Sequence, residues 1–273
     1  INDHETSPWR RKAIFLKAQC HIQLKQFQEA EKIYDSEVRR LLSAARKEEI
    51  AGVYFRFAEA MSRKPEKDEL DIPQPDYRKA HELYSRTLTL EIGREMKDET
   101  MFRLGRMMHL AQDYGQAVNY YRQYLNEFDP GWMGAVDSPR RQEKARERGS
   151  EGAGKHVREA RYHIAQCQVA MDQMRWARMN LEDLLKMITP LSDKASEKLV
   201  RDSRFLMIKT YHIPNPQNSE ELDLGVKAVI GFLNDFPGEP RGMELSFHIG
   251  ESYQNQGRSQ EAINAYQDFL KVE

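Results

Sequence analysis

His156, Glu159 and His163 stand at i, i+3 and i+7. On a helix they share one face, and two imidazoles with a carboxylate could ligate a divalent cation. A solvated helix face produces the same spacing, and that is the reading preferred here. His21, His109, His212 and His248 are scattered with no metal-ligand spacing between them. No H-E-x-x-H, P-loop, G-x-S-x-G or C-x-x-C motif occurs, so the signatures of metallopeptidase, nucleotide, serine-hydrolase and dithiol chemistry are missing. The two cysteines, Cys20 and Cys167, are too few for a disulfide scaffold or a cysteine-only zinc site. They follow FLKAQ and YHIAQ, the same place in two similar segments, which points to a small apolar packing role. No catalytic residue, cofactor or metal is nominated, and the chain is expected to be non-enzymatic.

Charge gives little more. The 273 residues carry 42 Lys and Arg against 43 Asp and Glu, a net charge of -1, so nothing steers the whole chain toward nucleic acid or anionic membrane. No run of about 18 apolar residues offers a bilayer span. One basic cluster occurs, Arg140, Arg141, Lys144, Arg146, Arg148 and Lys155, interleaved with Glu143, Glu147 and Glu151 and three glycines. That composition fits a mobile solvated loop better than a phosphate-binding arm. Just before it, Trp132 and Met133 lie in a turn-rich stretch, either as a partner anchor or folded back on the body.

What positions these residues is a repeat. A pattern of aromatic, x, apolar, small recurs as FLKA (from Phe15), FRFA (Phe55), FRLG (Phe102), YHIA (Tyr162), FLMI (Phe205) and FHIG (Phe247). Twelve residues after the small position in the first, third, fourth and sixth copies stands a second small residue; the second and fifth copies reach theirs across insertions. These residues are Ala30, Ala80, Ala117, Ala177, Gly225 and Ala262, and four further on come Tyr34, Tyr84, Tyr121, Leu181, Val229 and Tyr266. Proline-punctuated insertions at 64–75 and 212–219 break helices rather than phase. Apolar positions recur at helical spacing and no hairpin signal joins alternating runs. The sequence therefore predicts an all-α protein, a right-handed α-solenoid of about six helix pairs. The pairs divide as repeats 1–3 over 1–128, a charged insertion at 129–155 and repeats 4–6 over 156–273.

Leu104, Gly105, Tyr114, Ala117, Tyr121 and Pro130, and again Ile249, Gly250, Tyr253, Gly257, Ala262 and Tyr266, resemble the tetratricopeptide repeat family. The match is strong in repeats three and six and weakest in repeat five, where Ile208 and Gly225 depart from the pattern. The period of about 37 and the stretch FLNDFPGEPRGMELSFHIG resemble repeats of bacterial envelope proteins, those of outer-membrane assembly lipoproteins and the Tol-Pal-associated periplasmic protein. The lysine and asparagine clamp of chaperone-binding members is missing, because Phe15 and Gln19, Phe102 and Arg106, and Tyr162 and Gln166 stand where it would be.

At about 100° per residue, the leading aromatic falls about 60° from the small residue three positions on, at the flank of the core stripe. The six aromatics either pack repeat against repeat or line a groove. The groove would comprise Phe15, Gln19, Phe55, Glu59, Phe102, Arg106, Tyr162, Gln166, Phe205, Lys209, Phe247 and Glu251, and would receive a peptide or helix of a protein partner. No nucleic acid is expected as partner, and self-association stays open. The chain opens without methionine and stops within a helical pattern, so it reads as part of something longer. The alternative is accordingly the helical arm of a larger multidomain enzyme or envelope protein. The resemblance implies the periplasm or cell envelope, with the cytoplasm as the other location.

Overall fold

The computed structural model describes residues 8–41, 47–64, 74–90, 92–132, 152–188 and 194–271. These form twelve helices, with no strand among the described residues. The chain divides into two compact units, Ile1–Val157 and Arg158–Glu273. The first holds α1 (Pro8–Gln23), α2 (Phe27–Leu41), α3 (Lys47–Ser62), α4 (Tyr77–Leu88), α5 (Arg94–Leu110) and α6 (Tyr114–Phe128). The second holds α7 (Val157–Ala170), α8 (Met174–Ile188), α9 (Lys194–Lys209), α10 (Ser219–Asp235), α11 (Gly242–Asn255) and α12 (Ser259–Leu270). Each unit is a stack of three antiparallel hairpins of the α-solenoid kind, every helix packing on its neighbours in sequence.

The small positions do what their size allows. Ala18, Ala30, Ala58, Ala80, Ala117, Ala165 and Ala177 have no exposed surface, and Gly105, Gly225 and Gly250 are buried. Where two helices cross, only a small side chain lets the backbones close up. The space goes to the large residue opposite. A Cβ added to Gly105 would stand 2.6 Å from Cδ1 and Cε1 of Tyr121, and one on Gly250 would run into the ring of Tyr266. Tyr34, Tyr84 and Tyr121 are buried to within 2% of completeness, and Tyr34 then stacks on Phe57 of the next hairpin at 4.1 Å. Tyr266 is only half-buried, since no described helix follows α12. The terminal position matters for the cysteines as well. Cys167 is buried as a packing residue, whereas Cys20 is exposed on α1, which no described helix precedes, so the shared packing role holds for Cys167 alone.

Repeat five departs for a visible reason. Its connection, residues 210–218, folds back so that Ile213 lies on α10, where a Cβ on Gly225 would meet Ile213 Cδ1 and Cγ1 at 2.7 Å. Glycine therefore replaces alanine to seat an isoleucine from the loop, and Ile208 joins Val229 and Phe232 in the core. Arg178 of α8 holds this loop, donating to the Thr210 carbonyl at 2.8 Å and lying 4.8 Å over the Tyr211 ring.

The hairpin turns repeat to the residue. Seven positions after the small residue, Lys25, Gln112, Asp172 and Gly257 all have positive φ, between 58° and 71°. The next amide in each turn closes the helix by donating five residues back, as Asp113 N–H does to Met108 and Arg258 N–H to Tyr253. This C-terminal motif favours glycine, which takes left-handed backbone without the Cβ penalty. Gln112→Gly is thus expected to raise stability by about 1 kcal/mol and Gly257→Ala to lower it by about as much. Urea unfolding midpoints at constant slope check both signs.

Candidate functional site

The leading aromatics rest on the second helix of their own hairpin. Phe15 meets Tyr34 edge-on at 6.2 Å, Phe55 meets Tyr84 at 5.2 Å, and Phe102 meets Tyr121 at 6.0 Å. Phe205 lies 6.0 Å from Phe232 and Phe247 5.6 Å from Tyr266. Tyr162 packs with Ala165, Leu181 and Leu206. Seating the ring on the second helix leaves part of it at the surface in every copy but one. Phe15, Phe55, Tyr162 and Phe205 are half-buried, Phe247 is 40% exposed, and Phe102 is only 8% exposed.

One turn further on stand the polar candidates. Glu59 and Lys209 are exposed, while Gln19, Arg106, Gln166 and Glu251 are half-buried. Lys209 reaches back over Phe205 at 5.2 Å. Gln166 bonds the His163 ring and Glu251 the His248 ring, each at 2.6 Å.

Phe102 is buried because the chain returns over it. Residues 152–156 run along α5 and α6 and are captured through their backbone. Gly154 N–H donates to the Phe128 carbonyl at 2.8 Å, Lys155 N–H to Asp98 Oδ2 at 2.8 Å, and His156 N–H to Tyr124 Oη at 2.9 Å. Tyr124 in turn donates to Asp98 Oδ1 at 2.7 Å. Asp98 is nearly buried, and these donors take the place of the water it lost. A Cβ on Gly154 would stand 2.6 Å from Phe128 Cβ and 2.7 Å from Tyr124 Oη, so glycine is there for closeness. The His156 ring stacks on Phe102 at 4.3 Å, with 9° between planes, and its Nε2 lies 2.7 Å from Glu99 Oε2.

These contacts correct two expectations from the sequence. Residues 152–155, the end of the glycine-rich insertion, are docked and not a mobile loop; residues 133–151, with Met133 and the basic cluster from Arg140 to Arg148, lie outside the described residues. His156 precedes α7 and turns to Glu99, so it shares no helix face with Glu159 and His163. Among the described residues no three His, Cys, Asp or Glu side chains gather as a metal site. Trp132 is half-buried beside its turn, its N–H donating to the Asp129 carbonyl at 3.1 Å. No helix among the described residues is long and apolar enough to cross a membrane.

Two titrating groups in α5 report this packing. Burial pushes the Glu99 carboxyl upward, but hydrogen bonds from His156 and Arg103 outweigh it and hold it below its ordinary range. Burial, aided by Arg106, depresses His109 from 6.5 to about 4.

The class defined by this geometry is a helical-hairpin repeat protein. Models described as tetratricopeptide repeat match residues 99–129 and 244–272, and a further one matches 12–36. These matches support the tetratricopeptide repeat family. Among solved structures, the apo form of RapI is 12% identical, with a TM-score of 0.52 covering 96% of this chain and 83% of that one. A MamA protein is 14% identical at 0.51, covering 83% and 92%. MamA 41-end from Desulfovibrio magneticus RS-1 is 15% identical at 0.50, covering 81% and 94%. At such identity the likeness is one of fold. No curated protein matches the chain in sequence.

Asp98→Ala should speed hydrogen exchange at the Lys155 and His156 amides about tenfold or more, the scale of a lost charge-assisted bond, with helical circular dichroism retained. As pH falls below 6.5 the unfolded chain protonates His109 while the folded chain resists until about 4. Stability from this group is therefore complete above pH 6.5 and lost down to about pH 4. His109→Gln should flatten that part of the stability curve in urea titrations.

Proposed function

We propose that the chain is a non-enzymatic scaffold that binds a partner polypeptide, as a peptide or helix, along the first-helix faces of its hairpins. The observation that carries this is the seating of the aromatics. A ring held on one side by the large residue of the second helix is rigid, and its exposed side is apolar surface presented beside polar groups one turn away. Rigid aromatic surface with a polar margin is the usual anatomy of a protein-binding hot spot. Phe15, Phe55 and Phe247 with Gln19, Glu59 and Glu251 carry the contact, alongside Tyr162, Phe205, Arg106, Gln166 and Lys209. Phe102 contributes through His156, which covers it.

The resemblance of the 232–250 stretch to bacterial envelope repeats supports an assembly role in the cell envelope. Photo-crosslinking from p-benzoylphenylalanine at positions 15, 55 and 247, in the host that expresses the gene, should trap a shared partner. The same label at Met187 on α8, 38% exposed, should not. Crosslinks confined to the α8 position would contradict the proposal.

A further inference from the structure

Three leading aromatics carry a side chain from the chain that follows: Arg56 lies 5.2 Å over Phe15, and the other two visitors each meet a carboxylate three residues before the ring. In repeat three the His156 ring stacks on Phe102 while its Nε2 meets Glu99, three residues before the aromatic. In repeat five the Arg241 guanidinium lies 4.0 Å over Phe205, paired through its Nε with Glu239 and lying 3.5 Å from Asp202, again three residues before the ring. On a helix, i and i−3 are neighbours on one face. A carboxylate there fixes the rim of a flat group lying on the ring, and where that group is a guanidinium the ring's quadrupole attracts its positive charge. The visitor comes from the chain that follows the hairpin, from residues 152–156 in one case and from the start of α11 in the other.

The spacing occurs twice more. Glu159 precedes Tyr162, but that ring is half-buried against Leu184, Ile188 and Val200. Glu244 precedes Phe247, and there nothing sits on the ring among the described residues. Phe247 is 40% exposed and the Glu244 side chain 70%. Tyr266 and Phe269 back the ring at 5.6 and 5.8 Å, so its position is fixed. Glu251, one turn on, adds a second carboxylate to the same face. His248 bonds Glu251 at 2.6 Å and lies 3.5 Å from Glu244.

We propose that Glu244 and Phe247 form a cradle for an arginine side chain of the partner polypeptide, which lays its guanidinium on the Phe247 ring and pairs with Glu244. This rests on the groove reading and names what that groove takes at repeat six. Arginine fits better than lysine because a planar, forked cation stacks and pairs at once, as Arg241 does on Phe205.

The test uses the whole chain, labelled with 15N, and the capped peptide acetyl-Gly-Arg-Gly-amide, with its citrulline counterpart as the neutral isostere. Saturable shifts of the α11 amides around Phe247 are expected with the arginine peptide and not with citrulline. Glu244→Gln, at an exposed position, should weaken the response about two- to five-fold, the range of an exposed cation–π contact with its ion pair. Arg241→Ala should open a second responding cluster around Phe205. Equal response to citrulline, a silent α11, or indifference to Glu244→Gln would overturn the cradle. If any of these occurred while partner crosslinks still fell at positions 15 and 55, the scaffold reading would stand and this inference alone would fall.

Discussion

Everything at the surface of this protein depends on one buried contact, the large residue of each second helix lying on the small residue of the first. Gly105 and Gly250 have no Cβ because a tyrosine ring occupies the place where it would be. That contact sets how closely two helices approach. It also sets the height at which the tyrosine stands, and so where the next aromatic outward can rest. Phe15, Phe55, Phe102 and Phe247 each lie on that tyrosine. The hairpin core and the first-helix face are thus successive layers of one stack: small residue, tyrosine, surface aromatic, visitor.

The same layering explains how the fold keeps its own chain in order. His156 and Arg241 are the outermost layer in repeats three and five, and both tie down the chain that leaves the hairpin. A ring and a carboxylate one turn apart therefore serve the architecture where the following segment supplies a flat polar group, the His156 imidazole or the Arg241 guanidinium. In repeat six the same pair, Glu244 and Phe247, is exposed among the described residues, and it is the pair we propose for a partner's arginine. Reusing one interaction inside and outside is economical in a repeat, where each copy inherits its neighbour's geometry.

Much of this was legible in the sequence, because spacing survives where contacts are local. The small residues, the tyrosines four positions on and the turn after Gly257 could all be placed by counting, since helical geometry fixes them. Gly154 could not be. Its glycine signals a backbone that must come close, but to Phe128 and Tyr124 of α6 and Asp98 of α5, contacts too distant in sequence for any local pattern to encode. Gly225 looked like a weak copy of alanine; its reason is Ile213, brought there by a loop. The aromatics were found as a group, yet whether a ring such as Phe102 or Phe205 is covered depends on what the next segment lays on it, His156 in one case and Arg241 in the other. The carboxylates of Glu99, Asp202 and Glu244 stand at a fixed distance before the aromatic, so the signal was present in the repeat alignment, three positions upstream of where it began.

The layered account is tested most directly by a double-mutant cycle between Gly105 and Tyr121, followed by urea unfolding. If the ring fills the space of the missing Cβ, Gly105→Ala should cost about 1 to 3 kcal/mol with Tyr121 in place. The cost should all but vanish in the Tyr121→Ala background, giving a coupling of the same size. Equal costs in both backgrounds, with no coupling, would show that the glycine serves something other than the tyrosine and would contradict the stack on which the surface depends.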